Sequence, residues 1–374
     1  MNKTIYFLGA GFSKDAGGPV QNEIIKTILS NEFNSVNCDK TTQTAYKRFI
    51  DFINKELLIN ESNYENIDLE DIFTPIDRCI SEGSAFGHYT YKELIDLREK
   101  LHYLLAKSIQ FNVEKEGNNK DYIDNFAKYV NDIAKKRIKN LEDDNIAIIT
   151  TNWDILLDNS LNRTINHSKE NPGIVDYCCY INPLDNDDKE LIKPGLIILG
   201  QHGYNIKYLK LHGSMNWLHC PYCQRLYVKF DKKTMFDKRY CRHCNKNLQL
   251  KKNDSIQLRG NLLLPTFLKD IRNIQLQLIW QNAGIELSEA SKIVFIGYSL
   301  PQADFEIRQL LIRFVRKDAN IEVVLCPTID TEKEEKRYKT FFGNRNITIR
   351  KISVPDYVNE LIKQYCTAET VTFL

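Results

Sequence analysis

Short apolar runs recur along this chain, and most are followed by a stretch of helical periodicity. Lys3 to Leu8 is the first such run, closed by Gly9-Ala10-Gly11. It reads as a buried strand feeding a tight loop. A helix is expected at Gln21 to Leu29. From about Thr41 to Lys139 the dominant spacing is 3.6 residues, as in Tyr91 to Ile109 and Tyr122 to Ile138, with few strand signals between. That segment reads as a helical insertion or cap.

Strands and helices alternate after it. Asn145 to Thr151 is strand-like and Trp153 to Leu161 helical. Leu196 to Leu199, Ile206 to Leu211 and Asn261 to Thr266 are further strand candidates. The helix Ile271 to Glu286, the strand Ile293 to Ile296 and the helix Ala303 to Arg316 come next. Ile321 to Leu325, Ile347 to Ile352 and a helix near Val358 to Tyr365 close the series. Such alternation argues for an α/β fold with a parallel sheet covered by helices on both faces. There is no internal repeat and no low-complexity tract.

Composition narrows the class. With 374 residues, 43% hydrophobic and 27% charged, the chain can bury a sizeable core in one large domain with insertions, or in two domains. A net charge of +2 carries no global nucleic-acid footprint. The local basic stretches Lys135 to Lys139 and Lys246 to Lys252 read first as solvated faces, and nucleic acid stays open as a partner. No apolar run reaches the ~20 residues that span a membrane, and the N-terminus lacks the pattern of a secretory leader. The scattered thiols Cys38, Cys79, Cys178, Cys179, Cys326 and Cys366 read as ordinary buried thiols, and a reducing cytoplasm fits best.

The other four cysteines are arranged differently. Cys220-Pro221-Tyr222-Cys223 and Cys241-Arg242-His243-Cys244 are two C-x2-C knuckles with seventeen residues between them. That spacing predicts a zinc site, and four thiolates around Zn²⁺ leave no position open for chemistry. The metal is therefore expected to be structural, in a ribbon-like insertion over 216–254. His212, eight residues before the first ligand in Lys210-Leu211-His212-Gly213-Ser214, is the candidate for reactive chemistry.

Three other constellations sit at expected strand ends, where open α/β sheets bind ligands. Gly9-Ala10-Gly11-Phe12-Ser13 would let a backbone approach phosphate, although Lys14 stands where a third fingerprint glycine belongs. Thr150-Thr151-Asn152-Trp153-Asp154 places Asn152 and Asp154 at a crevice mouth. Gly297-Tyr298-Ser299 could donate backbone and hydroxyl hydrogen bonds to a nucleotide.

Taken together and in this order, the motifs resemble the sirtuin family. Its sequence of parts is a G-A-G-x-S loop, a T-x-N-x-D element, an H-G-S histidine, a four-cysteine ribbon and a G-x-S strand end. The resemblance implies a Rossmann-like domain over 1–40 and 140–374, with the 41–139 insertion outside it, and NAD as substrate. Gly9, Ala10, Gly11, Ser13, Asn152, Asp154, Gly297 and Ser299 would bind the dinucleotide. Asn152 would orient a water or the ribose, and His212 would act as general base. Two departures stand out. The family's deacylases carry G-I-P-x-F-R after the glycine loop, where this chain has Gly17-Gly18-Pro19-Val20-Gln21-Asn22. Their F-G-E-x-L-P acyl-peptide strand is replaced by Leu263-Leu264-Pro265-Thr266-Phe267.

In the stretch Lys210 to Trp217, the Thr150-Thr151-Asn152-Trp153-Asp154 form and Gly297 to Asp304, the chain looks most like the bacterial sirtuin-like NAD⁺ hydrolases of anti-phage defence. These act as oligomers or beside a HerA-type ATPase or a short Argonaute. The expectation is an NAD⁺ glycohydrolase that forms a homo-oligomer. An NAD-dependent lysine deacylase, and a silent nucleotide-sensing or nucleic-acid-binding subunit, are the alternatives.

Overall fold

The computed structural model describes residues 3–165, 167, 170–185, 192–231, 236, 238–264, 266, 269, 271–327 and 331–372. In chain order the strands are β1 (Thr4–Leu8), β2 (Ile146–Thr150), β3 (Gly173–Asp176), β4 (Ile181–Pro183), β5 (Tyr204–Lys210) and β6 (Gly213–His219). They continue with β7 (Leu226–Val228), β8 (Arg259–Leu262), β9 (Lys292–Ile296), β10 (Asn320–Leu325) and β11 (Ile347–Lys351). A seven-stranded sheet runs β11-β10-β9-β1-β2-β5-β3, parallel at every pairing. The Rossmann-like α/β architecture expected from the alternation is present, with helices on both faces. Pleating divides the faces: Tyr6 rings Phe126 of the helix Asp121–Ala134. Phe7 and its register partner Phe295 look the other way, toward Tyr338 and Phe342 of the helix Thr331–Phe342. β1, β2 and β9 are apolar and buried almost without interruption, as strands covered on both sides must be.

The chain leaves β1 toward β2, β5 and β3, then returns to β9 on the opposite side of β1. The carboxyl ends of β1 and β9 therefore border a topological switch point, where the crossover helices diverge and a crevice opens.

A second hydrophobic core lies in the helical layer. Phe33, Phe49, Phe52, Ile72 and Leu104 pack there with Ile24 of the helix Gln21–Leu29 and with Met215 and Leu262 of the smaller sheet. The helix Asp121–Ala134, which the sequence pattern placed inside the 41–139 insertion, contributes Tyr122, Phe126 and Val130 to the core of the main sheet. The smaller sheet has the order β4-β7-β6-β8 and carries the cysteines.

Two expectations change. Leu196 to Leu199 is helix, Gly195–Leu199, with Ile198 buried and Leu196 exposed. A four-residue apolar run cannot settle its own period, and Pro194 in front of it starts a helix well. The scattered thiols are not buried: Cys38 and Cys366 are exposed, and Cys79, Cys178, Cys179 and Cys326 are partly so. The helix expected at Gln21 to Leu29 is present with those bounds, reached from the glycine loop through a 3-10 run, Ala10–Ala16. Within Leu263-Leu264-Pro265-Thr266-Phe267, Pro265 and Phe267 lie outside the described residues.

Candidate functional site

The carboxyl ends of β9, β1, β2 and β5 line one cavity of about 690 Å³. Each delivers one predicted constellation: Gly297 to Ser299, Gly9 to Ser13, Asn152 with Asp154, and His212. On the far side Val20, Gln21, Ile24 and Ile109 of the helical layer close the cavity. This is within the size and setting of small-molecule and cofactor sites.

The glycines are there because two loops cross at van der Waals contact. Gly9 N–H donates to Ile296 O (3.0 Å) and Gly11 N–H to Gly297 O (2.8 Å). Gly297 has φ +61°, and a Cβ on it would lie 2.2 Å from the Phe12 nitrogen. No side chain fits at that crossing. The amides of Gly9 and Gly11, with Phe12 N–H bonded to Gly9 O (2.9 Å), are spent within the protein. An anion here would have to find other donors. Lys14 and Lys26 also line the cavity, although Lys14 pairs with Glu23 at 2.7 Å.

Asn152 is buried and held at one end only. Its Nδ2 donates to Ser13 Oγ at 3.1 Å, and its backbone N–H to Thr150 Oγ1 at 3.1 Å. Its Oδ1 is buried and meets no partner. The Asp154 carboxyl accepts from Leu156 N–H at 3.0 Å, and the Ser13 hydroxyl favours its ionised form. Burial pushes the Asp154 carboxyl above its ordinary range, against the pull of the Lys210 ammonium.

His212 is 5% exposed and its Nε2 likewise lacks a hydrogen bond. Burial pulls its imidazole down to about 4; nearby Asp304 raises it and Lys269 lowers it further. The ring is neutral at pH 7, so it has a lone pair to offer a proton. Asp304 Oδ1 lies 3.8 Å from that Nε2. Tyr298 Oη donates to the same carboxylate at 2.9 Å, and Lys269 Nζ stands 3.1 Å from it. Thus the Tyr298 hydroxyl is turned to Asp304, while Gly297, Tyr298 and Ser299 all remain at the cavity wall.

Asp304 and Lys269 were not among the predicted site residues. Asp304 sits seven positions past Gly297 in a polar stretch after a strand end, which was the available signal. Lys269 is too far along the chain to have shown any.

Beneath the cavity the Lys210 ammonium and the Asp158 carboxylate form a 2.8 Å ion pair, with both side chains 0% exposed. Lys210 Nζ also donates to Asp154 O at 2.7 Å, and Tyr177 Oη donates to Asp158 at 2.8 Å. This buried knot ties the Asn152–Asp154 turn to the strand that delivers His212.

The four cysteines converge as their spacing predicts. Cys220 Sγ to Cys244 Sγ and Cys223 Sγ to Cys241 Sγ are each 3.7 Å, and all four sulfurs lie within 4.8 Å of one another. A tetrahedron with Zn–S bonds of ~2.3 Å has edges of ~3.8 Å, so the cluster fits a structural zinc. The knuckle amides Cys223 N–H and Cys244 N–H point at Cys220 Sγ (3.5 Å) and Cys241 Sγ (3.4 Å), as thiolates require. Leu218, Tyr227 and Leu258 enclose the cluster.

No protein-family model and no curated protein matches the chain. Solved structures do. One is from a study of the mechanism and regulation of Sir2 enzymes (14% identical, TM-score 0.39, 98% of this chain and 94% of that one covered). Another is Sir2 with a p53 peptide and NAD⁺ (15%, TM-score 0.37, 98% and 94%). A third is Sir2 with the inhibitor EX-527, 2′-O-acetyl-ADP-ribose and a deacetylated p53 peptide (14%, TM-score 0.38, 97% and 93%). Likeness this loose carries neither ligand nor reaction over to this chain. Among the described residues no helix is long and apolar enough to cross a membrane.

Proposed function

We propose that this chain is an NAD⁺ glycohydrolase, cleaving the nicotinamide–ribose bond to give nicotinamide and ADP-ribose. The observation that carries the reading is the meeting of two buried, half-satisfied groups in one cavity at the switch point. Asn152 Oδ1 and His212 Nε2 lack partners among the described residues, and such atoms are costly unless a ligand or water completes them. In this reading Asn152 holds the ribose or the attacking water, with its amide fixed by Ser13. His212 accepts the proton, and the Asp304 carboxylate stabilises the imidazolium that forms. The ordered motifs that resemble those of sirtuins support the dinucleotide as ligand. The absent peptide-binding elements favour water over an acyl-lysine as acceptor, and a role in depleting NAD⁺ during phage infection follows from the same resemblance.

The test is direct. Purified protein is incubated with NAD⁺ and the products are separated by chromatography, alone and with an acetyl-lysine peptide. Free ADP-ribose is expected, and it should disappear in His212→Ala and Asn152→Ala. O-acetyl-ADP-ribose formed in step with nicotinamide would replace this reading with deacylation.

A further inference from the structure

The net charge of +2 hides a strong segregation. Residues 216–254 contain ten Lys and Arg against three Asp, a net of +7, which leaves the rest of the chain at −5. Four thiolates around a Zn²⁺ would bring the zinc module to +5. Exposed aromatic rings stand among these charges, where a folded module would normally hide them. Tyr222 is 67% and Tyr240 44% exposed. Each is the chain neighbour of a ligand, Tyr222 of Cys223 and Tyr240 of Cys241, and those two sulfurs are 3.7 Å apart. The zinc cluster therefore sets both tyrosines on adjoining knuckle tips. Lys238, two residues before Tyr240, Lys246 on the helix Arg242–Asn247 that follows Cys241, and Lys251 are exposed in the same module.

We propose that the face of the zinc module bearing Tyr222 and Tyr240 is a docking surface for single-stranded nucleic acid. The lysines supply sequence-independent contacts to phosphates, whose bound counterions are released on docking. The tyrosines offer flat faces on which unpaired bases stack. Base stacking favours a single strand over a duplex, whose bases already stack on one another, and over a run of Asp and Glu, whose charged side chains carry no ring. The surface belongs to the zinc module and not to the Asn152–His212 cavity, so it stands whichever reaction that cavity performs.

The experiment is fluorescence anisotropy of the full-length, zinc-loaded protein with labelled oligo-dT, oligo-U and a DNA duplex over a salt series. Binding should weaken linearly in log–log coordinates. In Lys238→Glu/Lys246→Glu/Lys251→Glu the slope should fall by about 2, at ~0.7 per phosphate contact on a single strand. Tyr222→Ala and Tyr240→Ala should each weaken binding roughly tenfold at fixed salt while leaving the slope in place. Zinc content and melting temperature, unchanged from the parent, establish that the variants are folded; Lys→Gln versions at the same positions serve if the glutamates disturb folding. Three results would overturn the proposal: no binding at low salt, binding indifferent to these five side chains, or equal affinity for polyglutamate, which would make the surface a site for acidic protein.

Discussion

Replacing Lys210 with Met tests whether the buried knot beneath the cavity organises it. The substitution keeps most of the side chain's length but removes its charge from a place where lysine and partner are 0% exposed. Asp158 would keep the Tyr177 hydroxyl at 2.8 Å and lose the Lys210 ammonium, while Asp154 O would lose its 2.7 Å donor. Breaking a buried pair from one side costs about 3–5 kcal/mol, because the remaining charge is left uncompensated. At ~2–4 °C per kcal/mol for a large domain, the melting temperature should drop by roughly 6–20 °C. Urea denaturation followed by tryptophan fluorescence reads the free energy, and a thermal scan reads the midpoint. The double variant Lys210→Met/Asp158→Asn removes the stranded charge and should recover at least half of the loss. A single variant within about 1 kcal/mol of the parent would refute the reasoning, since the pair would then behave like a surface contact. A double variant no better than the single would show that packing, not charge, dominates the site.

Four further outcomes are expected. Burial holds His212 at about 4 and keeps His102 below its ordinary value. The unfolded chain therefore binds more protons below pH ~6.5, and stability should fall as pH drops from there toward 4, by on the order of 3 kcal/mol for His212 alone; urea midpoints at pH 7 and 5 check this. NAD⁺ hydrolysis should show no limb near pH 6.5. Asp304→Asn should lower its kcat by about 10²-fold or more and move the acid limb to lower pH, because the carboxylate is what raises the imidazole's proton affinity. Gly297→Ala puts a methyl 2.2 Å from the Phe12 nitrogen at φ +61°, and should destabilise by 2 kcal/mol or more by thermal melting, roughly the scale of strained backbone. Elemental analysis should find one zinc per chain, and Cys220→Ser or chelation should lower the melting temperature well before it alters the chemistry of what remains folded.

Much of the frame was legible in the chain. β1, β2 and β9 are apolar throughout because helices cover both of their faces, so each announces itself as a continuous run. The two C-x2-C knuckles carry their own geometry, since two residues between thiols is the span that lets both reach one metal. β3, β4, β6 and β7 were missed. Gly173–Asp176 is short, and Gly213–His219 mixes Ser, Asn and His with its apolar residues because it runs along an interior rich in polar atoms. The helix Thr331–Phe342, mostly charged with Tyr338 and Phe342 buried, also left little periodic signal.

What the sequence by itself determined was local: which runs are strands, which glycines admit a tight crossing, and which thiols can share a metal. These follow from backbone sterics and ligand spacing, which act over a few residues. Only the tertiary structure decided that Asn152 and His212 share a cavity, each with an orphaned atom. It alone set Asp304 and Lys269 beside His212, and turned the Gly9 and Gly11 amides to protein carbonyls. It also put Tyr222 and Tyr240 on adjoining knuckle tips. Those relations join positions from eighteen to nearly three hundred residues apart. They depend on strand order and on burial, which no local pattern encodes.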